Sequence, residues 1–175
     1  TKNIEYIVDD LHQVVTFSKK IFPDLPIMLF SHSMGTLVAR CFLKRYDDEI
    51  TKIVLCGPPT ENKMAGFAVF LAYCSQLFHG KKKPNRTLNS LAFQSFNKKF
   101  NEENAWVCGN EETLKKYADD DLCGFVFTTN GFINLFKLMK EAFNKKGWQM
   151  KNKDLKICLI AGEDDPVIQN KKAFE

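Results

Sequence analysis

The sequence lacks several features that would have decided its class at once. No apolar stretch reaches the ~18 residues of a membrane-spanning helix. The longest candidate, Met64 to Phe78, is interrupted by Gly66, Ser75 and Gln76. Strong charge of either sign is missing: 25 Lys+Arg against 21 Asp+Glu give +4, too mild to imply a nucleic-acid partner. The basic residues are scattered, apart from the run Lys81-Lys82-Lys83. Six cysteines are present, but no two stand at C-x-x-C spacing, which removes zinc and thioredoxin-type readings. There is no internal repeat or low-complexity tract. Histidine is scarce, with three in 175 residues. With 45% hydrophobic and 26% charged residues, the chain is neither disordered nor collagen-like, and it is long enough to bury a core without a metal or disulfide staple. Cys56 and Cys158 lie inside apolar runs, where a thiol behaves as a small hydrophobe. A reduced, cytoplasmic chain is therefore expected, with a disulfide scaffold as the weaker alternative.

The patterning that is present alternates between two periods. Residues 4–19 place Ile4, Ile7, Val8, Leu11, Val14, Val15 and Phe17 close to the i, i+3, i+4, i+7 spacing of an amphipathic helix, which Pro23 and Pro26 end. Ile27-Met28-Leu29-Phe30 reads as a strand buried on both faces. A second helix is expected from Thr36, with Leu37, Val38, Cys41 and Phe42 on one face and Arg40, Lys44 and Arg45 more exposed. Lys52–Cys56 and Lys156–Ala161 read as two further buried strands, the first stopped by Gly57-Pro58-Pro59. Residues 61–150 hold eleven of the sixteen phenylalanines and both tryptophans, and read as helices and loops. The expected class is α/β, a parallel sheet with right-handed crossovers. Its organisation is a first core segment at 1–60, a helical cap at 61–150 and a second core segment at 151–175. Ligands bind at the carboxyl ends of such strands, and both polar motifs of the chain fall there.

The first motif is Ser31-His32-Ser33-Met34-Gly35, read as a five-residue turn between strand and helix. A serine at the tip of such a turn is held in a strained backbone conformation with its hydroxyl exposed. The residues two before and two after approach closely and must be small, here Ser31 and Gly35. Ser31 stands where glycine is more usual. The N–H of Met34, at the start of the helix, is placed to donate to a developing oxyanion. A serine nucleophile needs a histidine base and a carboxylate behind it. Asp165, in Gly162-Glu163-Asp164-Asp165-Pro166-Val167, follows the third strand, and Pro166 restricts it to an extended backbone. Asp164 and Glu163 are its competitors, read otherwise as a solvated acidic turn. None of His12, His32 and His79 follows Asp165 in the chain. His32 is expected to pack or hydrogen-bond against a loop near the sheet's end, because neighbouring side chains on the turn diverge.

These two motifs resemble the α/β-hydrolase superfamily. Within it the chain is similar to the serine hydrolases that include bacterial lysophospholipase-like and monoacylglycerol lipase-like proteins, also classed with the S33 serine aminopeptidases. The segment between the motifs, with Phe93-Gln94-Ser95-Phe96-Asn97, Trp106 and Tyr117 to Cys123, looks like the lid of one bacterial branch. The resemblance implies Ser33 as nucleophile, Asp165 as triad acid and Met34 as one oxyanion donor. It also implies a histidine beyond Glu175 and a second oxyanion donor before Thr1. The chain, which opens with Thr1 rather than Met, is accordingly expected to be part of a longer hydrolase with little esterase activity on its own.

The expected function is a serine hydrolase cleaving a carboxylic ester of a lipid-like or small acyl substrate through an acyl-enzyme, with no cofactor or metal. The aromatic residues Phe67, Phe70, Phe93 and Phe96 are candidates to line an acyl pocket, against the plainer reading that they pack the cap onto the core. An S33-type peptidase and a non-catalytic protein that keeps the fold are the alternatives. A haloalkane dehalogenase is disfavoured, because that chemistry uses an aspartate where Ser33 stands. Lys81–Lys83 read as a solvated loop or a contact for anionic headgroups. Asp119-Asp120-Asp121 lack the spacing of a calcium loop and read as a helix cap.

Overall fold

Three five-residue strands, β1 (Met28–His32), β2 (Lys52–Cys56) and β3 (Lys156–Ile160), pair in parallel in the spatial order β1-β2-β3. They belong to a computed structural model that describes residues 3–98, 100 and 104–168. The register aligns His32 with Cys56 and Cys56 with Ile160. All three strands therefore end at one edge, and the segments that follow them emerge side by side.

Helix α1 (Ile4–Ile21) begins at Asn3, whose Oδ1 accepts the Ile4 N–H, and ends where the Phe22 N–H donates to the Ser18 carbonyl, just before Pro23. Helix α2 (Met34–Tyr46) starts immediately after β1. It lies between the sheet, α1 and a later helix, α6 (Thr129–Ala142), and Leu37, Ala39, Phe42 and Leu43 are buried in the core. Lys44, expected toward solvent, is only 4% exposed. Its ammonium lies 2.6 Å from Glu141 Oε1, donates to the Glu141 carbonyl at 2.7 Å and sits over the Trp148 ring. Packing against α6, which the period of α2 does not announce, accounts for the difference. Arg40 is held in the same way, over the Phe143 ring.

Residues 61–150 form α3 (Ala65–His79), α4 (Arg86–Asn97), α5 (Glu111–Asp119) and α6, with one isolated antiparallel bridge between Pro84 and Thr128. Side-chain caps start three of them: Asn85 accepts from Leu88 N–H, Asn110 from Thr113 N–H and Thr128 from Gly131 N–H. The core runs from α1 through α2 to α6, and α6 in turn carries α3. The aspartates 119–121 fall at the end of α5, where Asp120 is the C-cap residue and its Oδ1 accepts the Leu122 N–H. All six cysteines are free. Burial pushes the Cys41 thiol up to about 11, against the opposing charge of Lys44.

The strands are less buried than their apolar runs suggest. In β2, Ile53 and Leu55 are buried, whereas Met28 and Phe30 of β1 and all of β3 are exposed. The described helices cover the face that carries Ile53 and Leu55 at β2, but not at β3, whose Ile157 and Leu159 share that face and remain exposed. The opposite face, with Met28, Phe30 and Ile160, faces none of them. Val14 and Phe17 of α1 are likewise exposed, because α1 docks on α2 by its other side.

Candidate active site

The chain passes from β1 to α2 through a single residue, Ser33. The expected five-residue turn is sharper than that: Ser31 and His32 are still strand, and Met34 and Gly35 are already helix. Ser33 takes up the whole reversal at φ 48, ψ −120, a region that non-glycine residues avoid. Its N–H donates to the Cys56 carbonyl at 2.9 Å, which ties the bend to the end of β2. Its own carbonyl accepts from both the Thr36 N–H (2.9 Å) and the Thr36 hydroxyl (2.6 Å). Ser31 is buried and donates its hydroxyl to the Val54 carbonyl at 3.0 Å. A Cβ on Gly35 would lie 3.9 Å from Ser31 Cβ, so the gap admits a methyl group and little more. Met34 is the first residue of α2, and an N–H in that position has no partner within the helix.

Asp165 comes from the segment after β3, two strand positions away from Ser33 across the sheet. Its N–H donates to the Gly162 carbonyl (3.3 Å), and its Oδ1 accepts the Val167 N–H (2.9 Å). Pro166 is buried and Asp165 is half-buried, while Glu163 and Asp164 are exposed. Of the three acidic residues, Asp165 is thus the one turned toward the sheet edge. Its Oδ2 comes against Gly57, the residue that follows β2.

Gly57 is the element that the sequence reading passed over as a mere strand stop. It has φ +54, and a Cβ there would sit 3.3 Å from Asp165 Oδ2 and 3.6 Å from His32 Nε2. Its N–H donates to the Ile160 carbonyl at 2.8 Å. The missing side chain leaves room for the Asp165 carboxylate and the His32 ring side by side. The Gly-Pro-Pro sequence was the available signal, since glycine at a strand end marks a close approach or a left-handed backbone.

Ser33 and Met34 open onto a cavity of about 570 Å³. Phe67, Phe93 and Phe96 line it, as do Trp106, Phe127 and Phe136. Phe70 does not: it is 60% exposed and stacks on Phe67 from outside. Thr60, Asn62, Asn89 and Asn97 supply polar lining, and no charged residue or histidine is among the described residues of the wall. His12 instead stacks on Tyr46 at 3.9 Å between ring centroids. His79 ends α3, its ring nitrogen 3.3 Å from the Ser75 carbonyl. Among the described residues, no group of three His, Cys, Asp or Glu side chains is placed to hold a metal ion. No helix there is long and apolar enough to cross a membrane.

Comparison with known proteins places this geometry in a family. No curated protein sequence matches the chain. Among solved structures, a thermostable carboxyl esterase from Bacillus coagulans, in complex with glycerol, superposes with a TM-score of 0.71 at 15% identity, over 99% of this chain and 70% of its own. A lipase in an open form superposes with a TM-score of 0.76 at 20% identity, over 94% of this chain and 55% of its own. A monoacylglycerol lipase from Paleococcus ferrophilus gives 0.58 at 15% identity, over 91% of this chain and 66% of its own. At these identities the likeness concerns the fold. The family profile described as serine aminopeptidase, S33, matches residues 1–175. The chain belongs to that family and has the α/β-hydrolase fold, of which the described residues carry three strands.

Proposed function

We propose that the chain carries the nucleophile and the acid of a serine hydrolase that cleaves carboxylic esters of lipid-like or small acyl substrates. The observation that carries the reading is Ser33, strained at φ 48 between β1 and α2 and opening on an apolar cavity of about 570 Å³. In this reading the Ser33 hydroxyl adds to the substrate carbonyl while a histidine takes its proton. The tetrahedral oxyanion accepts the Met34 N–H at the α2 N-terminus. Collapse of the intermediate expels the alcohol, which recovers the proton, and leaves an acyl group on Ser33. Water then releases the carboxylic acid by the same steps. Asp165, fixed through Val167 N–H, orients the histidine and stabilises its cation. The base is a histidine other than His12, His32 and His79, none of which lines the cavity. Residues 61–150 serve as the cap, and their aromatic side chains receive the acyl chain.

An aminopeptidase is the second reading, because the family is described by that activity. It requires an anionic partner for the substrate's free amine. The described cavity wall has no carboxylate, which favours an uncharged acyl ester. A fluorophosphonate probe tests the nucleophile: the full-length protein should be labelled and Ser33→Ala should not. Labelling that survives Ser33→Ala overturns the assignment. p-Nitrophenyl esters of graded length beside aminoacyl amides test the substrate class, and turnover of the amides alone overturns the ester reading.

A further inference from the structure

The face of α3 turned away from the core is built unlike an ordinary solvated surface. The helix contains no Asp, Glu, Lys or Arg. It packs inward through Ala65 and Ala72, both buried. On the opposite side Phe67, Phe70, Tyr73, Leu77 and Phe78 are all exposed, Leu77 at 80% and Phe78 at 86%. Their spacing keeps all five on one side of the helix. Contiguous exposed apolar surface of this kind marks an interaction site.

The chain that carries the stripe is charged with one sign from residue 62 to residue 101. Between Glu61 and Glu102 the sequence has no acidic residue. Lys63 precedes the helix, and Lys81, Lys82, Lys83 and Arg86 follow it, all exposed. Lys137 adds a further cation over the Tyr73 ring, 5.2 Å from its centroid. The loop that presents the lysines is anchored: the Asn130 N–H donates to the Lys81 carbonyl and the Thr129 N–H to the Lys83 carbonyl, both at 3.1 Å. Leu77 and Phe78 stand directly beside this basic run. A second copy of the chain on the same face would bring like charges together across a two-fold contact. At 15 residues the helix is about 22 Å long, too short for a ~30 Å hydrocarbon core. It suits a helix lying in the interface, apolar side down, with cations at the headgroups.

We propose that the α3 stripe, with Lys81–Lys83, docks the protein on an anionic phospholipid bilayer surface. Phe67 belongs both to the stripe and to the cavity wall, so docking brings the cavity beside the bilayer. Docking is independent of the chemistry at Ser33; only its use in delivering a lipid ester rests on the proposed function.

The test is co-sedimentation of the full-length protein with vesicles of phosphatidylcholine alone or with phosphatidylserine added, alongside light scattering. Binding is expected with phosphatidylserine and is expected to be much weaker without it. Leu77→Ser with Phe78→Ser should lower binding at least about tenfold, and so should Lys81→Ala, Lys82→Ala and Lys83→Ala together. The residues changed are exposed, so the fold is retained. Ser33→Ala should bind as the wild type does, which separates docking from catalysis. Wild-type protein that stays in the supernatant, or variants that bind undiminished, would overturn the proposal. So would a dimer that dissociates in the Leu77/Phe78 variant without any vesicle binding.

Discussion

Replacing Ser33 with glycine should make the protein more stable than replacing it with alanine, although both changes remove the same hydroxyl. Ser33 holds φ 48, ψ −120. A residue with a Cβ is raised by about 1–3 kcal/mol in such a sparsely populated region. Alanine keeps the Cβ and therefore the strain, whereas glycine occupies positive φ readily. Glycine's extra freedom in the unfolded chain returns about 0.5–1 kcal/mol. The net advantage of Ser33→Gly over Ser33→Ala is then about 1 kcal/mol. The Ser33 side chain makes no capping hydrogen bond at the start of α2, so loss of the hydroxyl is common to both variants and cancels. Urea unfolding of the full-length variants, followed by far-UV circular dichroism, measures the difference, provided that the two m-values agree. A melting point higher by about 2–4 °C is the thermal counterpart. A glycine variant no more stable than the alanine one, at equal m, would refute the claim that the bend stores strain.

Gly57→Ala should destabilise by about 1–2 kcal/mol, because its φ of +54 is unfavourable for any L side chain. It should also slow fluorophosphonate labelling, because the new methyl meets Asp165 Oδ2 at 3.3 Å; labelling at the wild-type rate would detach Asp165 from Ser33 reactivity. Glu141→Gln should cost about 1–2 kcal/mol in urea unfolding, because the carboxylate is partly open to water and Lys44 keeps the residue-141 carbonyl as a partner. Burial opposes ionisation of Glu141, but hydrogen bonds from Lys44 and Asn144 and the Lys44 charge outweigh it and hold the carboxyl below its ordinary 4.5. A lowered native value means that the pair stabilises the fold above pH 4.5 and loses that contribution as pH falls through the lowered value. The gap between wild type and Glu141→Gln should therefore close in acid, and a gap that widens there would contradict the pairing. Ala92→Trp, on the cavity wall, should suppress turnover of long-chain p-nitrophenyl esters while sparing short ones; equal loss for both would place the acyl chain elsewhere.

The parts of this molecule that local sequence determines were legible in it. β2 was readable to the residue, because the apolar run Ile53–Cys56, preceded by Lys52 and closed by Gly-Pro-Pro, allows few alternatives. The bend at Ser33 was readable because only small neighbours fit beside it. What the sequence hid depends on which element lies over which. The period of α2 cannot reveal that α6 covers Lys44 and supplies Glu141. Phe70 has the same residue type and helical spacing as residues that do line a wall, yet it faces outward. Only the rotation of α3 on α6 separates Phe67 from Phe70. Apolar content made β1 and β3 read as doubly covered, although the described helices leave one side of β1 and both sides of β3 exposed.

Strand β2 carries neither Ser33 nor Asp165, yet it acts as the gauge between them. It stands between the strand that delivers Ser33 and the one that delivers Asp165, and two inter-strand steps of about 4.8 Å set their spacing. Its last carbonyl holds the Ser33 N–H, and the next residue makes room for the Asp165 carboxylate. The hydrogen bonds that fix this span, Ser33 N–H to the Cys56 carbonyl and Gly57 N–H to the Ile160 carbonyl, involve none of the cavity aromatics. Under the proposed function, the spacing of Ser33 and Asp165 and the aromatic lining of the cavity are thus set by different residues.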